Sequence, residues 1–320
     1  MRKAILPLIL CFLLLFSGCS GNAGTSSQSS AVSDGKISIV TSFYPVWLLA
    51  QSVIGDTDAV ILTNMAPAQS GCLHDYTLTM NDLKLLERAD LFLINGSGME
   101  GFAEQVADAF PALPTVSLTE GETLLHGADC EHTHNGDHDH DHGTYNAHLW
   151  MSPAGAAAMA GHIADALGEI DPANAETYRA NADALSAELE EIRSLYAGKL
   201  ANKVNPHIVI FHESFAYLAD ALGLEVVGVI AKEPDEEPTA RELTDIIRIV
   251  NEYGVTALFT DSQYDDRAAL TVAAETDAVI CELDSLVNEP DNDVVSFAER
   301  LRANCKAIVE ALESTTLPAA

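Results

Sequence analysis

Between His126 and His148 the chain reads HGADCEHTHNGDHDHDHGTYNAH, a tract of imidazoles and carboxylates with no lysine or arginine. Six of the eleven histidines fall within 126–142, interleaved with five acids. So little apolar surface cannot offset the entropy of ordering the tract, which reads as a mobile loop. Nitrogen donors alternating with oxygen donors suit a borderline-soft divalent cation, zinc ahead of calcium or magnesium. His126, His132, His134, His138, His140 and His142 are therefore candidate auxiliary metal ligands. The plain alternative is a solvated acidic loop whose histidines are incidental.

Four more side chains sit where elements end. His74 follows a turn-rich connection containing Pro67, Gly71 and Cys72, and His148 closes the histidine tract directly before Leu149-Trp150. His212 lies just past an apolar run at 207–211, and Asp284 just past another at 278–283. Ligands gather at the carboxyl ends of strands in open parallel sheets. Three imidazoles and one carboxylate converging in a cleft would make a four-coordinate shell suited to Zn2+. Taken singly, each has a blander reading as a turn or capping residue, and Asp261 is a rival carboxylate at another strand end. His162, on an alanine-rich helix, reads as structural.

The elements that must position these groups alternate between strand and helix. Strands are expected at 37–41, 59–62, 91–94 and 115–118, with helices at 43–54, 81–89 and 98–109. After the histidine tract come a helix at 153–168 and a long helical run from Asp171-Pro172 to about 200. Its apolar positions include Tyr178, Ala182, Leu185, Leu189, Ile192 and Leu195, near helical spacing. Twenty-nine residues span about 43 Å, long enough to bridge two lobes. Alternation then restarts, with strands at 207–211, 225–230, 257–260 and 278–283 and helices at 214–222, 239–253, 266–276 and 294–313. The pattern specifies an α/β protein of two lobes, each a mostly parallel sheet flanked by helices, joined by one long rigid helix.

Arg2 and Lys3 precede an apolar run at 4–16, the layout of a secretory signal peptide. Leu15-Phe16-Ser17-Gly18-Cys19 resembles a bacterial lipobox, with Phe16 where leucine is usual. Cys19 is then the expected lipidation site, anchoring the chain to the membrane on its extracytoplasmic face. The expected divisions are a signal at 1–18, a lipidated flexible tether at 19–35, an N-terminal lobe at 36–170 with its histidine loop at about 120–147, a linking helix at 171–203, and a C-terminal lobe at 204–320. Outside the cytoplasm Cys72, Cys130, Cys281 and Cys305 are permitted disulfides, Cys281 with Cys305 being one local pairing and Cys130 a further loop ligand. A net charge of −32 excludes a nucleic-acid partner, which would need a basic surface.

Four segments resemble the zinc-type substrate-binding lipoproteins of metal ABC transporters. They are GCLHDYTLTMNDLKLLERADLFLINGSGMEGF, NAHLWMSP, FHESFAYLADALGL and ICELDSLV. IVTSFYPVWLLA and EPTARELTDIIRIVNEYGVTALF add to the likeness, which extends from Ser38 to Leu312. The resemblance implies that His74, His148 and His212 bind the metal with Asp284 as the least secure fourth ligand. It also implies capture of Zn2+ by a monomer and delivery to an ABC permease with its cytoplasmic ATPase. His212 stands where manganese members carry glutamate, and an acidic histidine loop marks the zinc members. Cys72 departs from the family's usual Pro or Ser, and Asp261 replaces a common glutamate, consistent with a supporting role beside the ligands.

Three other readings stand beside this one. Manganese or iron transport is weakened by His212 and by the loop. A surface adhesin would bind its partner independently of metal. A zinc hydrolase finds a start in His212-Glu213, yet Ala216 occupies the position where the HExxH motif needs its second histidine.

Overall fold

The computed structural model describes residues 35–67, 73, 76–127, 145–201, 205–230, 238–263, 265–289 and 295–314. The chain separates into Met1–Gly35 and Lys36–Ala320, and the second unit is described below. It contains β1 (Ile37–Thr41), α1 (Tyr44–Ile54), β2 (Val60–Asn64), α2 (Met80–Leu86), β3 (Leu91–Ile94), α3 (Ala103–Ala109) and β4 (Thr115–Ser117). A single 3-10 turn at Leu149–Met151 leads into α4 (Pro153–Ile170) and α5 (Ala175–Leu200). The second half contains β5 (His207–Ile210), a 3-10 turn at Glu213–Phe215, α6 (Ala216–Ala221), β6 (Glu225–Val229), α7 (Ala240–Tyr253), β7 (Ala257–Asp261), α8 (Arg267–Ala274), β8 (Val279–Leu283) and α9 (Phe297–Ser314).

Both halves repeat one topology. The strands run in the order β2-β1-β3-β4 in the first sheet and β6-β5-β7-β8 in the second. Every pairing between these eight strands is parallel. The connections leave β1 and β5 in opposite directions along their sheets, so each sheet has a switch point between its two central strands. Burial follows from this placement: β3 (LFLI) and β7 (ALFTD) are buried throughout, as strands covered on both faces must be.

Local chemistry sets the boundaries. Thr79 caps α2 in a reciprocal box with Asp82, so that helix begins one residue before the expected start. α3 begins only at Ala103, because Ser97 (φ 54°) and Gly98 (φ 83°) hold the preceding segment in left-handed backbone. The long helix is 26 residues, not 29. Asp171 interrupts the run, its carboxylate accepting from Asn174 Nδ2 and Tyr178 OH, both at 2.7 Å.

α5 buries Tyr178, Ala182, Leu185, Leu189, Ile192, Tyr196 and Leu200. These positions alternate steps of four and three as far as Tyr196 and end on a second step of four to Leu200. Leu195, expected on that stripe, is exposed, and Tyr196 takes its place because the seam continues in register from Ile192. α5 is not a bare strut: it packs along α4 and α1 and also against α9. Arg302 of α9 reaches Glu188 of α5 at 2.9 Å. One apolar core therefore runs from Ile39 and Phe92 through Leu189 and Leu301 to Ile208 and Phe259, with a smaller core beneath α7 and α8.

Candidate metal centre

His148 and His212 come together. One follows the histidine tract of the first half and the other follows β5, and both are buried. Their ring centres are 4.9 Å apart at an interplanar angle of 87°. Two imidazoles on one tetrahedral zinc, with bonds of roughly 2.1 Å, have ring centres about 5 Å apart. The pair thus has the spacing a shared ion requires.

Each ring is held from a different side. His148 Nδ1 lies 2.9 Å from Asn146 Oδ1 and 4.0 Å from Glu213 Oε1, and its ring packs on Trp150 with centres 5.0 Å apart. Trp150 is fully buried against Phe43 and donates from Nε1 to Ser285 O at 3.0 Å. The backbone at 146–148 is clamped. Asn146 N donates to Leu125 O (2.8 Å), Tyr217 OH donates to Asn146 O (2.7 Å), and Asn95 Nδ2 donates to Ala147 O (2.9 Å). Asn95 is fixed in turn by Glu100, which accepts from Asn95 N, Gly96 N and Ser42 Oγ at 2.7–2.9 Å. Complete burial raises the Glu100 pKa against those hydrogen bonds. Gly96 (φ 91°) is required there, since a Cβ would run into Ser117 Oγ.

His212 is extended (φ −126°, ψ 147°), and its Nδ1 accepts from Ser214 N at 3.3 Å, capping the short turn that follows. Ligation through Nε2 would place the ring proton on Nδ1, so that long contact would be given up on binding.

Asp284 is committed differently. Arg300 Nε and Nη2 each donate to its carboxylate at 2.7 Å, and Leu286 N donates to Oδ1 at 2.8 Å. Asn304 pins the Asp284 backbone from α9, and the Arg300 guanidinium lies over the Tyr44 ring. Any cation at Asp284 would share its carboxylate with a guanidinium, which weakens it as a donor. Asp261, at the end of β7, is almost fully buried; that burial, with the Asp284 charge adding, pushes its pKa up to about 6. Gln263 donates to it from N (3.1 Å) and from Nε2, which also meets Ser285 Oγ.

His74 lies outside the described residues, between the fully buried Leu73 and Tyr76, whose OH donates to Asp82 at 3.0 Å. His132, His134, His138, His140, His142 and Cys130 of the tract, with Cys72 and Cys19, also lie outside them. His126 is exposed and stacks on Tyr145 across an antiparallel bridge. Among the described residues, no three His, Cys, Asp or Glu side chains gather to hold a metal. Cys281 and Cys305 do not form the local disulfide; both are free thiols, pushed up to about 11 and about 12 by burial. Cys281 Sγ faces Ala307 O at 3.7 Å, while Cys305 is packed into the core by α9. His162 Nδ1 meets Leu118 O at 2.8 Å, a structural role. Asn146, Tyr217 and Arg300 escaped the reading of the sequence; only the Asn-x-His spacing of NAHLWMSP offered a signal.

Two helix-flanked parallel sheets with facing imidazoles are the architecture of a two-lobe solute-binding protein. The chain belongs to the ZnuA family, described as the periplasmic component A of the zinc-uptake complex, whose pattern it matches over residues 39–311. It is 29% identical over 306 residues to the zinc-binding lipoprotein AdcA of Streptococcus pneumoniae, covering 92% of this chain but 60% of that protein. It therefore spans about three-fifths of the length of that relative. It is 28% identical to the high-affinity zinc uptake system protein ZnuA of Bacillus subtilis, covering 94% of this chain and 95% of that one. The Zn(II)-bound mutant variant of AdcAII from Streptococcus pneumoniae superposes with a TM-score of 0.75 at 28% identity, covering 87% of this chain and 99% of that one. Among the described residues no helix is long and apolar enough to cross a membrane.

Proposed function

We propose that this chain captures Zn2+ outside the cytoplasm and delivers it to an ABC permease, with no chemistry performed on the ion. His74, His148 and His212 bind the cargo, and Asp284 completes the shell when its carboxylate can serve both the ion and Arg300. The observation that carries this reading is the orthogonal imidazole pair, 4.9 Å between centres, with one ring from each half of the molecule. Residues 36–170 and 204–320 act as the two lobes and 171–203 as their connector. Cys19 carries the lipid anchor, the protein works as a monomer, and it is not an enzyme. The loop histidines form an auxiliary zinc-collecting site.

The test is metal analysis of protein purified without a histidine tag, followed by competitive titration with zinc and manganese. One tightly held zinc per chain, lost in His148→Ala and in His212→Ala, is the expected result. Equal zinc affinity in both variants, or preference for manganese in the parent chain, would overturn the assignment.

A further inference from the structure

The amide of Asn146 joins His148 to the backbone of the residue that follows His212. Its Oδ1 accepts from His148 N at 2.9 Å, and its Nδ2 donates to Glu213 O at 2.9 Å. A backbone N–H can only donate and a carbonyl can only accept, so the amide has one allowed orientation. That orientation sets the chemistry of the ring. Oδ1 is an acceptor, so the 2.9 Å contact with His148 Nδ1 requires the ring proton on Nδ1, and the lone pair then sits on Nε2. The other arm grips the carbonyl of the residue immediately after His212. One side chain thus fixes the tautomer and tilt of one imidazole and tethers the backbone that carries the other. Its own backbone does not yield, being held by Leu125 O and by Tyr217 OH, which in turn accepts from Leu125 N at 3.0 Å.

We propose that Asn146 is a positioning residue that sets the angle between the His148 and His212 rings, and with it the preference for a small four-coordinate cation over a larger one. This rests on the zinc reading above. A bracket from the His148 ring to the backbone beside His212 holds the two rings at the separation that short zinc–nitrogen bonds need. Manganese, which favours more ligands and oxygen donors, gains less from that constraint. Partners that orient a ligating histidine typically contribute 10–100-fold in metal affinity.

The experiment uses the full chain, with cobalt(II) as a visible probe of coordination beside zinc and manganese titrations. Asn146→Ala removes both arms. Its zinc affinity should fall about 10–100-fold, manganese binding should change less, and the intense absorption of four-coordinate cobalt should weaken. Asn146→Asp is isosteric and keeps the acceptor for His148 but loses the donor to Glu213 O. Its zinc affinity and its zinc-to-manganese ratio should both fall between those of the parent chain and of Asn146→Ala. Unchanged ratio and cobalt spectrum in Asn146→Ala would overturn the proposal; should that variant not fold, the same result in Asn146→Asp would do so. A parent chain that takes up no zinc would instead sink the site reading, a separate outcome read from the same titration.

Discussion

Replacing Asp261 with asparagine should stabilise the metal-free protein at neutral pH and leave it unchanged in acid. The carboxyl is buried at the end of β7, and its pKa is pushed up from 3.8 to about 6. In the unfolded chain the group ionises near 4. Between these values the folded state holds a proton that the unfolded state has lost, so stability falls as pH rises from about 4 to about 6 and is level above. Two units at 1.36 kcal/mol each set a ceiling of about 3 kcal/mol on the penalty at pH 7.5. Asparagine keeps an acceptor for Gln263 N and removes the buried charge, so the gain should be about 1–3 kcal/mol. Urea unfolding in the presence of a chelator at pH 4 and pH 7.5 measures it. Equal stability differences at both pH values, or a loss at pH 7.5, would show that burial of this charge is not the governing effect.

Arg300→Met should cost about 2–3 kcal/mol in the same assay, below the 3–5 of a fully buried pair because Asp284 is partly exposed. A cost under about 0.5 kcal/mol, the size of an ordinary surface contact, would show the pair to be incidental. Leu189→Ala, in the seam of α5, should cost about 2–5 kcal/mol. Both halves should still unfold together; two separate transitions would contradict a shared core.

The fold was legible because strand and helix periods alternate cleanly, and because turn chemistry marks most ends. The interruption at Asp171 was less so: Asp-Pro announced a helix start, but nothing in it disclosed that Tyr178 OH would reach back to the carboxylate. Leu195 and Tyr196 are adjacent and both apolar, so only the three-dimensional seam decides which is inward. His212 was legible as a strand-end group and His148 as the residue that closes the histidine tract, whereas their spacing and mutual angle depend on a residue that carries no charge. Asn146 ligates nothing and would pass as a turn former. Arg300 sits sixteen residues from Asp284, on a helix whose facing direction is set by packing in α9. Sequence offers no way to see that the carboxylate is already engaged.

α9 is the last helix among the described residues, yet it packs on α1, the first of them, as well as on α5 and β8. Most long-range contacts of Leu301, Cys305 and Ile308 must therefore wait until this segment leaves the ribosome. Until then the nascent polypeptide lacks the keystone of its interior, so the core shared by both sheets closes only when α9 docks.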